Sequence, residues 1–244
     1  MMQRPLDKLP RALRVEGGVL LTFLILATLA LVFLKLASEI WEGETLGFDG
    51  AIMLALRSTT DTSIPAGPAW LQATMLDITA IGGTSVLTLI TIAVAGFLLV
   101  SRKAATAGFV LAAITGGAIL SFALKAMFSR PRPDIVAHLV AVDTSSFPSG
   151  HAMNSAVVYL TLGTLLARTQ KDHAVRIYLI SLAIALTLAV GCSRVYLGVH
   201  WPSDVIAGWC VGAAWAMLCG AIARLLQSRH QIEQPDAAPV KETL

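Results

Sequence analysis

The chain has 244 residues, 56% of them apolar and 14% charged, with a net charge of +3 and a mean hydropathy of +0.73. A soluble domain carries roughly 25% charged residues, so this composition excludes an ordinary water-exposed surface. It equally excludes a disordered chain, and the small net charge implies no nucleic-acid partner. The apolar excess points to one membrane-embedded helical bundle. Cys192, Cys210 and Cys219 lie in apolar stretches without paired spacing, and read as small buried hydrophobes, not a disulfide frame or zinc site.

A spanning helix needs roughly 17–25 mostly apolar residues. Six runs lack Asp, Glu, Lys and Arg: Gly17–Leu34, Ile78–Ser101, Ala104–Leu124, Ala152–Ala167, Ile177–Ser193 and Val205–Ala223. The fold class expected is therefore all-α, a polytopic bundle of six transmembrane helices. Residues 1–16 form a basic N-terminal segment without a cleavage pattern, residues 17–230 the membrane domain, and residues 231–244 a flexible polar tail. Gly50–Leu56 is apolar but too short to span, and is expected to lie along the interface before the Pro65–Pro68 break.

With the N-terminus inside, the inner segments hold Arg4, Lys8, Arg11, Arg14, Arg102, Lys103, Arg168, Lys171, Arg176, Arg224, Arg229 and Lys241, which is 12 of the 18 basic residues. The positive-inside bias thus predicts both termini in the cytoplasm of a plasma-membrane protein. Lys35 and Arg57, on the outer side, read as snorkelling anchors. Trp41, Trp70 and Trp201 read as an aromatic belt, Asp49 and Asp77 as caps or dipole partners near helix starts, and His138 and His173 as solvated.

Lys125, Arg130, Arg132 and Arg194 crowd the outer loops against that bias, and a phosphate ligand explains cations kept there. Two histidines share these loops. Phe147-Pro148-Ser149-Gly150-His151 opens the fourth span, where Gly150 admits close backbone approach and a helix N-terminus attracts an anion. In the second, Pro202 suits a first helical turn and Asp204 sits about one turn from His200. Asp204 can fix one imidazole nitrogen and leave the other free to attack. Singly, Asp204 could merely complement a dipole, and Ser149 and Gly150 merely cap a helix. Arg130 stays open between lipid headgroups and substrate.

These residues, as spaced, resemble the signature of the type 2 phosphatidic acid phosphatase superfamily: Lys125-x6-Arg132-Pro133, then Pro148-Ser149-Gly150-His151, then Ser193-Arg194-x5-His200-x3-Asp204. The match covers residues 125–204 and departs at no signature position. The resemblance implies a metal-independent membrane lipid phosphatase, without cofactor, whose site faces outward or to the periplasm. It implies His200 as nucleophile, Asp204 as its orienting partner and His151 as acid and then base. Lys125, Arg132, Ser149, Gly150 and Arg194 would hold the phosphoryl oxygens. Phosphatidic acid, phosphatidylglycerophosphate, undecaprenyl diphosphate and phosphorylated lipid A are the substrates implied, with a lean toward the polyprenyl diphosphate. A lipid phosphotransferase using the same intermediate is the alternative. A non-catalytic lipid-binding or transport protein is a third reading, disfavoured by spans free of charge and repeats.

Overall fold

A computed structural model describes residues 11–43, 47–229 and 231–232. The extreme N-terminal segment and most of the polar tail lie outside these residues. The described chain is all-helical: α1 (Arg11–Trp41), α2 (Gly47–Ala55), α3 (Ala69–Ile81), α4 (Thr84–Val100), α5 (Ala104–Met127), α6 (Gly150–Arg168), α7 (His173–Tyr196) and α8 (Pro202–Ser228).

Four helices, α1, α5, α7 and α8, are long and apolar enough to cross a membrane. A fifth span results if α3 and α4, bent by 48° at their junction, are taken together. The run expected as one helix over Ile78–Ser101 is thus divided at Gly82-Gly83. Asp77 is correspondingly well inside α3 and exposed, not at a helix start. The remaining expected span is α6, whose 19 residues extend about 28 Å at 1.5 Å per residue. Protein rather than lipid covers most of it, so it needs less hydropathy than an outer helix. Large apolar side chains face outward instead, among them Val100 and Phe122 at 86% and 77% exposure; no water-soluble bundle presents such a surface.

Small residues bring α6 and α8 together. A Cβ on Gly208 would sit 2.8 Å from the Ser149 carbonyl oxygen, and one on Gly212 2.6 Å from that of Met153. Two glycines four apart on one helix face let backbones touch, the packing that works where lipid removes the hydrophobic driving force. The contact sets the helices parallel, with the start of α6 beside the first two turns of α8, and the Ser149 amide donates to the Asp204 carbonyl at 3.0 Å. On the other flank, Trp209 lies against Gly191 of α7, and its indole N–H donates to the Thr187 carbonyl at 3.1 Å.

The connections are tied down as well. Phe147 stacks on Phe33 of α1 with centroids 5.9 Å apart, and meets Phe128 edge-on at 4.8 Å. This aromatic cluster pins the loops after α5 and before α6 to α1. Gly198 follows α7 at φ +78°, where a Cβ would lie 2.5 Å from the Ala137 carbonyl oxygen, so glycine is required.

Several expected surface roles change. Arg57 is buried rather than snorkelling, and donates to the Leu56 and Tyr196 carbonyls at 3.1 and 2.9 Å. It ties the α2–α3 connection to the end of α7. Trp201 is buried, whereas Trp41 and Trp70 are exposed as a belt requires. Asp49 and Met53 of α2 are buried against the bundle. Cys192 is exposed, unlike buried Cys210 and Cys219, and all three are free thiols. Lys35 is exposed and 4.0 Å from Glu39. His138 is exposed and hydrogen-bonded to the Pro133 carbonyl at 2.7 Å.

The α3–α4 break depends on Tyr159 of α6, whose hydroxyl donates to the Ile81 carbonyl at 2.6 Å. A buried acceptor left without its donor costs about 1–3 kcal/mol. Tyr159→Phe is expected to lower Tm in detergent accordingly. An unchanged Tm would show that the break holds without this bond.

Candidate active site

Four helix ends meet at one end of the bundle: the C-termini of α5 and α7 and the N-termini of α6 and α8. A cavity of about 430 Å³ lies there, lined by Lys125, Arg132, Gly150, His151, Arg194 and His200 among others. Six of the eight residues singled out in the sequence therefore share one cavity. The other two, Asp204 and Ser149, are fully buried and do not line it.

His200 follows the Gly198 turn and is 2% exposed. Its Nδ1 is 3.5 Å from Asp204 Oδ2, and its Nε2 is 3.4 Å from Arg132 Nη1. The ring thus has an acidic side and a side facing cations. Burial pushes its pKa down to about 4, against the opposing pull of Asp204. The imidazole is neutral at pH 7, and the carboxylate beside Nδ1 favours the tautomer with its proton there, which leaves a lone pair on the nitrogen facing Arg132.

Arg132 is held in place by its own bonds. Its Nε donates to the Thr144 carbonyl at 2.8 Å, Nη2 to the Thr144 hydroxyl at 3.1 Å, and Nη1 to the Val199 carbonyl at 2.6 Å. Arg194 Nη1 donates to the Thr79 hydroxyl at 2.9 Å, while its Nε is buried without a protein partner. Lys125 Nζ is 3.4 Å from the Pro148 carbonyl, long for a hydrogen bond. Ser149 occupies the N-cap position of α6 but its side chain makes no capping bond; its buried hydroxyl has no protein partner. The simple capping role considered for Ser149 is therefore not what the side chain does. His151, two residues on, has Nε2 3.9 Å from where a Cβ on Gly83 would lie.

Asp204 organises a second layer that the sequence reading missed. Its Oδ2 accepts from the Trp201 amide at 2.9 Å and from the Ser146 hydroxyl. Its Oδ1 accepts from Arg130 Nη1 at 2.6 Å. Arg130 Nη2 in turn donates to Asp49 Oδ2 at 2.9 Å, and its guanidinium carbon lies 5.3 Å from the Trp201 ring centroid. Asp49 also accepts from the Ser203 amide at 2.8 Å and hydroxyl at 2.5 Å. Arg130 thus does not line the cavity, and its guanidinium is engaged by Asp49 and Asp204 instead. Asp49 is a cap, as anticipated, but for α8 across the fold. Asn154, one turn along α6 from Gly150, was also missed; it lines the cavity with a buried, unpartnered amide oxygen.

The cavity continues into the bundle. Thr84, Ala118 and Asn154 also border a groove of about 260 Å³ among α4, α5 and α6, with apolar Leu87, Ile92, Leu111 and Ile114 in its walls. Fixed cations, a neutral histidine backed by a carboxylate and helix-terminal amides can neutralise a phosphoryl group and attack it. The groove offers an adjoining apolar chain a path.

The chain resembles phosphatidylglycerophosphatase B of Bacillus subtilis, being 34% identical over 188 residues, 76% of this chain and 88% of the relative. It is 44% identical to an undecaprenyl-diphosphatase of Sulfolobus acidocaldarius over 28% of this chain and 29% of the relative. The crystal structure of a transmembrane PAP2-type phosphatidylglycerolphosphate phosphatase from Bacillus subtilis superimposes with a TM-score of 0.68 at 28% identity, covering 82% of this chain and 96% of that one. A family model described as the PAP2 superfamily matches residues 105–227, from the start of α5 to the end of α8 and so across every cavity-lining motif. This multi-pass membrane chain belongs to the PAP2 superfamily.

Proposed function

We propose that the chain is a lipid phosphate phosphatase that works through a phosphohistidine on His200. The observation that carries this is His200 itself, with Asp204 behind one ring nitrogen and Arg132 beside the other. In the first step the His200 Nε2 lone pair attacks phosphorus, and the bond to the lipid or diphosphate oxygen breaks. His151, which takes up a proton as the phosphate dianion enters beside it, gives that proton to the departing oxygen. Asp204 holds the Nδ1–H and stabilises the charged ring. In the second step His151 takes a proton from water, whose oxygen displaces the histidine and releases inorganic phosphate. Arg132, Arg194, Lys125 and the Ser149–Gly150 turn hold the equatorial oxygens throughout, without a metal.

The groove between α4 and α5 supports a substrate whose tail stays in the bilayer. The names of the relatives bring phosphatidylglycerophosphate and undecaprenyl diphosphate to this chain as candidates. Phosphatidic acid and phosphorylated lipid A remain on the panel. Residues 17–230 act as the membrane domain, with both termini cytoplasmic and the site on the outer face.

Purified chain is expected to release inorganic phosphate from at least one of these four lipids without added metal. His200→Ala should abolish release from all of them, because no other attacking atom stands in its place. Radiolabelled substrate should leave an acid-labile label on the wild type and none on that variant. A full label on His200→Ala would end the assignment. Turnover only in the presence of a second alcohol, with its phosphate ester as product, would indicate a phosphotransferase.

The neutral state of His200 predicts a pH response. Its folded pKa lies below the ordinary 6.5, so its ring stays uncharged as pH falls through 6.5 and protonates only toward 4. Folding stability tied to this group is fully present above 6.5 and declines as pH falls, because the unfolded chain takes up the proton first. Histidine NMR in detergent, assigned with His200→Ala, should find no His200 titration between pH 7 and 5. A midpoint near 6.5 would contradict it.

Arg130 acts as a positioning residue. Arg130→Lys keeps the charge, but one ammonium cannot reproduce a fork that spans two carboxylates. We expect about a tenfold fall in kcat, roughly 1.4 kcal/mol, with KM little changed since Arg130 does not line the cavity. Arg130→Ala leaves two buried carboxylates unpaired, a loss of about 3–5 kcal/mol in stability, read as a reduced Tm. Wild-type kcat in the lysine variant would remove the positioning role.

A further inference from the structure

The end of the bundle farthest from His200 holds a second cavity, of about 590 Å³, where α6 ends, α7 begins and α8 ends. Arg168, Arg176 and Arg224 line it, one from each helix. Among the described residues no ion pair engages any of the three. Arg176 Nε donates to the Ala167 carbonyl at 3.2 Å. Arg168 is half-buried, and its Nη1 is buried without a protein hydrogen-bond partner. Arg168 also lies within electrostatic reach of both other guanidinium groups.

Cations at a helix end ordinarily snorkel singly into water. This arrangement differs, because three converge into one hollow and one keeps an unsatisfied N–H in protein. Unpaired like charges and an orphaned charged donor both cost free energy. A phosphate oxyanion relieves both, since guanidinium forks match its geometry. Beside Thr22, Thr164 and His173, the rest of the wall is apolar, with Leu165, Ile177, Ile180, Ile184 and Met217 extending along the helices. A free anion has no use for that wall, whereas an acyl chain does. Basic pockets between membrane helices suit the headgroups of anionic lipids.

We propose that Arg168, Arg176 and Arg224 bind the phosphodiester of an anionic glycerophospholipid, with its acyl chains laid along this wall. The lipid is a structural ligand of the leaflet opposite the catalytic cavity. It bridges three helices whose other ends carry His151, Arg194 and Asp204.

The test uses full-length chain in neutral detergent and a fluorescent phosphatidylglycerol. Wild-type protein should bind the probe saturably. Unlabelled phosphatidylglycerol should displace it at concentrations at least tenfold below those of phosphatidylcholine or inorganic phosphate. Arg168→Gln with Arg224→Gln should weaken binding at least tenfold, and Arg132→Ala, in the catalytic cavity, should not. Gly220 also lines the hollow, and a Cβ there meets nothing within 4 Å. Gly220→Leu therefore keeps all three arginines, favours the helix and fills the space; it should weaken binding as well. If the double variant does not fold, Gly220→Leu decides alone. Undiminished binding in the folded variants, or equal displacement by phosphatidylcholine, would overturn the proposal. Displacement by inorganic phosphate as effective as by phosphatidylglycerol would replace the lipid with a soluble anion. None of these readouts depends on catalysis.

Discussion

Asp204 is a carboxylate with no exposure to solvent, and the geometry around the cavity follows from satisfying it. An uncompensated charge at that depth is prohibitive. Four donors therefore converge on it from two connections: Arg130 and Ser146 from the α5–α6 loop, and the His200 ring and Trp201 amide from the α7–α8 turn. Each donor comes from a loop or helix end that also contributes to the cavity. Satisfying one carboxylate thus draws the α5–α6 loop, the α7–α8 turn and the start of α8 into register. Asp49 extends the same network to α2 by sharing Arg130. The close contact of α6 and α8 through Gly208 and Gly212 then places Gly150 and His151 beside it.

The positive side of the cavity has its own logic. Arg132 spends its hydrogen bonds on carbonyls and a hydroxyl, which fix its position without neutralising it. Arg194 is held in the same way by Thr79. Asp204 is behind His200 and engaged with Arg130, and Asp143, which lines the cavity, makes no ion pair with either arginine among the described residues. The buried counter-charge of Asp204 is thereby committed to Arg130, and Arg132 and Arg194 are left without an ion pair among the described residues. That separation is what preorganised electrostatics requires.

The all-helical membrane architecture was legible from apolar runs, and the cavity-lining residues from charges and histidines misplaced against the positive-inside bias. Hydropathy could not see the break at Gly82-Gly83, because two glycines interrupt a helix without adding charge. It also made α6 equal to the outer spans, although protein encloses it. The Arg130 network was invisible because its partners are remote: Asp49 precedes Arg130 by 81 positions and Ser203 by 154. No periodicity links such residues. Trp201 looked like a belt residue from its place near a span boundary, but the indole N–H donates to Pro131 and its ring lies under Arg130.

The bend between α3 and α4 divides labour within the fold. Thr79, which steadies Arg194, belongs to α3, whereas Leu87 and Ile92, which wall the groove, belong to α4. The α3–α4 segment thereby contributes to the cavity and to the groove through two rods joined at two glycines. Substitutions at Leu87 or Ile92 would reshape the groove without touching Thr79 or Arg194.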